Sequence, residues 1–389
     1  MTITESSPVK GVGAENSAAS LEADAARPLR ILFCVNWPVE SLNRPDATRF
    51  SPDYRVTGHP YWFFKHASSD IDVEVLDCRS FLRIDRAERR WARCYPSKGT
   101  LAWFRSRRYD LILSHGGQMG LVVGLLQSLF PNVSRVPHVM FDVGAISGGY
   151  SGSNSALINA GCTYAVKSLA ATICHSSPQL EFYRERYPEV AKVAHFIPLG
   201  VDTEEFHPEP CAQEDEMICV GYVLRDWKLL VRAYASLKTT TRLVLLGIPN
   251  SERISQPGVI CVPRVSIEEM RQRIRRAKFV VLPIPKVDFS IGQQTFLQSM
   301  ALGKSVLLPD IPAARDYIRD GETGFTYLAD SEEDLSRKLR ELLSSVERVE
   351  YVGRAARSAI ESQFAEEIMT TRIVDLLRMT ARSRTVPNL

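Results

Sequence analysis

No apolar run in this 389-residue chain reaches the ~18 residues that a membrane-spanning helix requires. The first 28 residues are small and polar and lack the apolar core of a secretory signal, so residues 1–28 are expected to form a disordered tail. Cysteine is scattered. Its eight copies include no C-x-x-C pair, which argues against a structural zinc site or a disulfide framework and favours reduced thiols in the cytoplasm. Neither sign of charge is in large excess, and a net charge of +3 gives the chain as a whole no footprint for nucleic acid. No cluster with metal-ligand spacing and no repeat of fixed period is apparent.

What is present is the make-up of a globular protein, 45% hydrophobic and 24% charged, long enough for two domains. Apolar segments at Arg30–Trp37, Ile71–Leu76, Tyr109–Leu113, His138–Phe141, Ala170–Ser176 and Ala194–Pro198 read as strands. Helical stretches around Thr100–Arg107 and Gly120–Phe130 separate some of them. Polar residues Glu209–Glu216 then read as a linker. A second series follows: strands at Met217–Val220, Arg242–Leu246, Val259–Pro263, Phe279–Ile284 and Ser305–Leu308, with helices at Lys228–Leu237, Ile267–Arg276 and Gln294–Leu302. Such alternation predicts mostly parallel, doubly wound sheets, whose ligands bind outside the carboxyl ends of the strands. In the first half those ends hold His115-Gly116-Gly117 and Asp142.

The most informative segment is residues 290–324. Ser290, Gly292 and Gln293 precede a short helix. Glycine there lets a ligand approach the backbone, and the unpaired amides of the first helical turn attract anions, above all phosphate. On geometry alone an ordinary strand–helix–strand unit fits equally well. The residues themselves add more. Ser299-Met300-Ala301-Leu302-Gly303-Lys304-Ser305-Val306, then Asp316-Tyr317-Ile318 and Asp320-Gly321-Glu322-Thr323-Gly324-Phe325, resemble the nucleotide-sugar-binding region of retaining GT-B glycosyltransferases of glycosyltransferase family 4. Ile197-Pro198-Leu199-Gly200-Val201-Asp202 with Phe206-His207-Pro208 resembles that family's interdomain hallmark, with Leu199 in place of the usual Asn. Ser290 and Gln298 stand where the family carries two glutamates.

The resemblance implies an α/β GT-B fold: two Rossmann-like domains facing a central cleft, an acceptor-side domain over residues 29–206 and a nucleotide-sugar domain over 207–389, whose last helix, within Glu361–Arg378, crosses back to the first domain. It implies a hexosyltransferase-type enzyme that moves a sugar from a nucleotide diphosphate donor to an acceptor hydroxyl with retention. Arg225, Lys228 and the amides of Gly292, Gln293, Gln294 and Thr295 would meet the diphosphate, Gln298 the ribose, and Arg264 the base pocket. Asp142 would lie near the sugar, Asp288 would compensate for the charge that Ser290 lacks, and His115, Gly116 and Gly117 would form the acceptor side. No metal or other cofactor is implied. Each assignment has a plainer counterpart: a turn cap for Asp142, a salt bridge with Asp226 for Arg225, a solvated lysine for Lys228, a strand-end residue for His115. Loss of both glutamates also fits a catalytically inactive binding module, while a GT-B epimerase fits the hallmark less well.

Residues 83–108 carry nine Lys and Arg against two acids, interleaved with Trp91, Tyr95, Trp103 and Phe104. Such a segment suits an anionic membrane surface or a solvated basic face, and RNA is disfavoured because no nucleic-acid motif accompanies it. Together these readings place the chain in the cytoplasm, in peripheral contact with the inner face of the membrane and with a lipid-linked acceptor as one possibility.

Overall fold

In a computed structural model, described residues are 27–37, 39, 62–78, 83–91, 94–134, 136–144, 146, 156–221, 224–286 and 291–383. Two parallel sheets of six strands form the frame. The first contains β1 (Leu29–Cys34), β2 (Ile71–Leu76), β3 (Leu111–His115), β4 (His138–Phe141), β5 (Ala171–Cys174) and β6 (Ala194–Phe196), in the order β2-β1-β3-β4-β5-β6. Its helices are α1 (Arg83–Trp91), α2 (Pro96–Arg105), α3 (Gly117–Leu129), α4 (Ala156–Val166), α5 (Pro178–Arg186) and the short α6 (Pro188–Ala191). The second sheet contains β7 (Glu216–Val220), β8 (Arg242–Leu246), β9 (Val259–Val262), β10 (Val280–Val281), β11 (Val306–Pro309) and β12 (Phe325–Tyr327), in the order β12-β11-β10-β7-β8-β9. With it go α7 (Trp227–Ala235), α8 (Ile267–Arg276), α9 (Gln293–Ala301), the short α10 (Pro312–Arg315), α11 (Glu332–Leu343), α12 (Val346–Ala359) and α13 (Glu366–Arg382).

The doubly wound pair that the alternation predicts is what forms, with local shifts. The third strand runs over Leu111–His115, not Tyr109–Leu113, because the Tyr109 hydroxyl is engaged by Glu74 and Asp110 accepts the Arg30 amide. The expected strand Phe279–Ile284 is reduced to Val280–Val281, since Pro283 and Pro285 have no amide to give a ladder. The inner strands of both sheets are buried on both faces, so β3, β4 and β5 read as near-continuous apolar runs, while the edge strands β2, β6 and β9 keep partly exposed positions.

The chain crosses between domains twice. Val201 donates to the Phe364 carbonyl at 2.9 Å and accepts from the Glu366 amide at 3.0 Å, a parallel bridge between the outgoing and returning segments. Arg357 on α12 then binds the Phe206 carbonyl at 2.7 Å and the Ala301 carbonyl at 2.8 Å. Beyond the bridge, α13 lays Met369, Ile373 and Leu377 into the core of the first sheet beside Phe33, Phe63 and Val139. Ile373 and Leu377 are fully buried, and each such side chain contributes roughly 1.5–3 kcal/mol. Thr370 adds a hydrogen bond to the Phe63 carbonyl at 3.0 Å.

A second tie joins the carboxyl end of β5 to the segment after α10. Asp316 accepts from the Ser177 amide at 2.7 Å and its hydroxyl at 2.6 Å. The buried Tyr317 hydroxyl donates to the His175 carbonyl at 2.6 Å and accepts from the Leu199 amide at 2.9 Å. Tyr317→Phe leaves both backbone groups without that partner in a dry contact, so we expect a loss of about 1–3 kcal/mol, read as a lower thermal midpoint. An unchanged midpoint would show that the tie carries no stability.

Candidate functional site

Helix starts in the second domain differ in one respect. At α7 the Asp226 side chain accepts from the Leu229 amide at 2.8 Å, and at α8 Ser266 accepts from the Glu269 amide at 3.2 Å. At α9 the residue in that place is Gly292, which offers no side-chain acceptor. Its φ of +78° is left-handed, and a Cβ there would lie 2.5 Å from Ile284 Cδ1, so glycine is required twice over. The amides of the first turn are thereby left open, with the positive end of the helix dipole behind them. Gln293 adds a donor: the residue is 2% exposed, and its side-chain nitrogen has no hydrogen-bond partner among the described residues.

Arg225 stands over this opening. Its Nε donates to the Val220 carbonyl at 3.1 Å, Nη1 to the Leu224 carbonyl at 3.3 Å and Nη2 to Thr295 Oγ1 at 3.3 Å. A Cβ on Gly221 would come within 2.5 Å of Nε, so glycine makes room for the guanidinium. Leu224 before it holds a φ of +50°, a costly conformation for leucine beside the site. Burial pulls the Arg225 pKa down, yet a guanidinium stays charged in any protein environment. The result is a fixed cation and an open helix end in one place, an arrangement that favours a phosphate-bearing ligand.

The structure therefore brings together Arg225, Gly292, Gln293 and Thr295. Gln294 and Gln298 face the interdomain crossing, in a crevice with Trp62, Lys65, Asp202 and Glu366. Lys228 is exposed on the first turn of α7, and Arg264 is exposed just past β9, with β8 between it and β7. Asp288 and Ser290 lie outside the described residues. Asp226 is the N-cap of α7.

Across the cleft, Gly116 (φ +77°) starts α3 without a side-chain cap, and Gly117 is its first residue. His115 packs its ring edge against Trp37 at 4.7 Å and Trp62 at 5.4 Å, and Phe141 lies between it and His175. Asp142 is fully buried. One oxygen accepts the amides of Gly144 and Ile146 at 3.1 and 3.0 Å, and the other accepts the Tyr183 hydroxyl at 2.5 Å and the Gln179 amide at 3.5 Å. That geometry is the turn-cap arrangement: Asp142 shapes the loop after β4 and presents no free oxygen to the cleft.

Sequence reasoning missed Lys65, which pairs with Asp202 at 2.5 Å and Glu366 at 2.8 Å, because its partners are 137 and 301 residues away. It also missed Gln179 and Tyr183 as the holders of Asp142. Only the hallmark Asp202 gave a signal for this neighbourhood.

Residues 214–345 match the family model described as Glycosyl transferases group 1. No curated protein matches the chain by sequence. Among solved structures, sucrose-phosphate synthase from Thermosynechococcus elongatus is similar with a TM-score of 0.64 and 17% identity, covering 95% of this chain and 94% of its own. HepE from Anabaena in complex with UDP gives 0.64 and 15%, covering 90% of this chain and all (100%) of its own. The catalytic domain of starch synthase IV from Arabidopsis thaliana, bound to ADP and acarbose, gives 0.66 and 11%, covering 91% and 100%. At these identities the likeness is one of fold, the GT-B pair of Rossmann-like domains.

The buried His138 and His175 and the half-buried His115, whose ring packs among Trp37, Trp62 and Phe141, should make the first domain acid-sensitive. Burial pushes His115 and His138 down to about 3 and His175 to about 4. Below the unfolded value of ~6.5 the unfolded chain binds these protons and the native protein does not, so stability is intact above that pH and falls as the pH drops toward the folded values. The slope is at most ~1.4 kcal/mol per pH unit for each histidine. Urea unfolding at about pH 7 and about pH 5, above the carboxylate range, reads it. Equal or greater stability at the lower pH would contradict neutral, buried imidazoles.

Proposed function

We propose that this chain is a hexosyltransferase of the family 4 type, which transfers a sugar from a nucleotide diphosphate donor to an acceptor hydroxyl with retention of anomeric configuration. The observation that carries the reading is the open start of α9 under the half-buried guanidinium of Arg225, at the carboxyl edge of a sheet that matches a glycosyl transferase family. Negative charge grows on a leaving diphosphate as the glycosidic bond breaks. Amides and a guanidinium already aimed at that spot stabilise the transition state without reorganising. In the proposed front-face displacement the acceptor attacks from the leaving-group side, and a diphosphate oxygen helps take its proton.

Gln298 holds the ribose in this reading, Lys228 and Arg264 approach the donor from the rim of the second domain, and Asp288 stands near the sugar. Asp142 acts at one remove, by fixing the loop that the sugar meets. His115, Gly116 and Gly117 flank the acceptor. The diphosphate charge is met by protein groups, so the reaction is expected to need no metal.

Solved neighbours bound UDP, UDP-glucose and ADP, which makes these the first probes for this chain. UDP or ADP should raise the melting temperature in excess chelator. Arg225→Ala should weaken that binding by about 1.5–3 kcal/mol, the range for a hydrogen bond to a charged group. Unchanged affinity in a folded variant would remove Arg225 from the site. Released nucleotide diphosphate from a sugar donor distinguishes an active transferase from a binding-only module.

The basic segment supports an acceptor at an anionic membrane. Leu101 and Phe104 of α2, 41% and 63% exposed, join Leu129, Phe130 and Val133 at the end of α3. The Trp103 and Phe130 rings lie 5.8 Å apart, and Arg107 covers Phe104 at 5.0 Å. No described helix is long and apolar enough to cross a membrane, so contact would be peripheral. Vesicles with anionic lipid should retain the protein and release it as salt rises. Replacing Arg107 and Arg108 by Gln should cost about 1 kcal/mol each. Equal pelleting with neutral vesicles would return the segment to a solvated face and favour a small soluble acceptor.

A further inference from the structure

At the carboxyl end of α9, opposite the end that carries the site, lies a cavity of about 420 Å³. One wall is the linker Pro208–Gln213. Another is the turn Leu302-Gly303-Lys304 at the end of α9, and α12 closes the third with Glu350, Arg354 and Arg357. The walls are tightly set. Gly303 has a φ of +75° and faces the Pro208 ring, and a Cβ on Gly353 would come within 2.4 Å of the Gly303 carbonyl. The volume falls within the roughly 300–1,000 Å³ of small-ligand sites.

Its lining is cationic: Arg275, Lys304, Arg354 and Arg357 against Glu209 and Glu350. Arg275 is paired with Glu209 at 2.7 Å and Arg357 with Glu361 at 2.7 Å. Lys304 is half-buried and Arg354 exposed at the mouth, and neither the ammonium nor the guanidinium makes a hydrogen bond or ion pair among the described residues. Withdrawing an ammonium from water is costly, and burial here pulls the Lys304 pKa below its usual value although Cys211 and Glu350 act the other way. An anion supplies what is missing. A phosphate offers Arg354 and Lys304 several oxygens at once, whereas the carboxylate of Glu350 is exposed to solvent.

We infer that this cavity is a second, anion-binding site for a small phosphorylated metabolite, held by Lys304 and Arg354 and separate from the cleft at the start of α9. Its position between the interdomain linker and the end of α9 sets it apart from any donor contact through Arg225.

Cys211 reports on the site, for it lines the cavity and is the one exposed cysteine of the eight. Alkylation of the full chain is followed by mass spectrometry of the Cys211 peptide, with anionic iodoacetate and neutral iodoacetamide, and with inorganic phosphate as the probe. Phosphate should protect Cys211 saturably in the unaltered protein, beyond chloride at matched ionic strength. The variant carrying Lys304→Gln and Arg354→Gln should lose that protection. Its iodoacetate-to-iodoacetamide rate ratio should fall about fivefold, the factor for one close charge interaction in water. Arg225→Ala should keep both behaviours. Protection no better than chloride, or a ratio unmoved in the double variant, would overturn the inference. Loss of protection in Arg225→Ala would place the anion in the cleft and overturn it too, leaving the proposed donor site standing.

Discussion

The parallel bridge between Val201 and the Phe364–Glu366 segment fixes the frame on which everything else depends. Two chain segments that connect the domains are tied at one point, so the carboxyl ends of both sheets are held facing a common cleft. Lys65 reinforces the crossing from the first domain by pairing with Asp202 on one segment and Glu366 on the other. The two carboxylates are largely withdrawn from water while Lys65 reaches them from the surface, so removing the lysine would leave two like charges close together and poorly solvated. Burial opposes the charge on Lys65, and Glu366 and Asp202 overcome it to raise its pKa. The crossing is therefore an ionic and backbone knot, while α13 supplies the apolar part of the attachment.

From that frame the α9 opening follows by omission. The starts of α7, α8 and α11 are capped by Asp226, Ser266 and Ser331, whereas α9, like α10, α12 and α13, has no side-chain cap. What sets α9 apart is that Arg225 stands over its open end. The same glycine that removes the cap also turns the chain through a left-handed conformation against Ile284. Arg225 is held in direction by the oxygens of Val220, Leu224 and Thr295. An open helix end and a positioned guanidinium reinforce each other only because both lie at the carboxyl edge of one sheet, at the ends of β7 and β10.

Much of this was legible in the sequence, for physical reasons that differ by region. Strands such as His138–Phe141 and Arg242–Leu246 announce themselves because parallel strands buried on both faces leave little room for polar residues, and the edge strand Ile71–Leu76 does so by alternation, with Asp72 exposed and Ile71 and Val73 buried. The start of α9 was legible because Gly292 and the Gly303-Lys304 turn sit at fixed places within a local unit. Long-range commitments were not. Nothing near Asp142 in sequence says that Tyr183 and Gln179, some 40 residues on, will occupy its carboxylate (41 and 37 residues, respectively). Lys65 gave no local signal for the same reason. The Tyr109–Leu113 reading placed the strand two residues early because apolar pattern alone does not see the Tyr109–Glu74 contact that sets the strand's entry.

The account turns on where a diphosphate sits. A crystal structure of the chain with a nucleoside diphosphate tests that directly. The account predicts phosphate oxygens within hydrogen-bond reach of the Gln293–Thr295 amides and of Arg225, with Gln293 donating its side-chain N–H. A diphosphate bound elsewhere, with the α9 opening filled only by solvent, would contradict it.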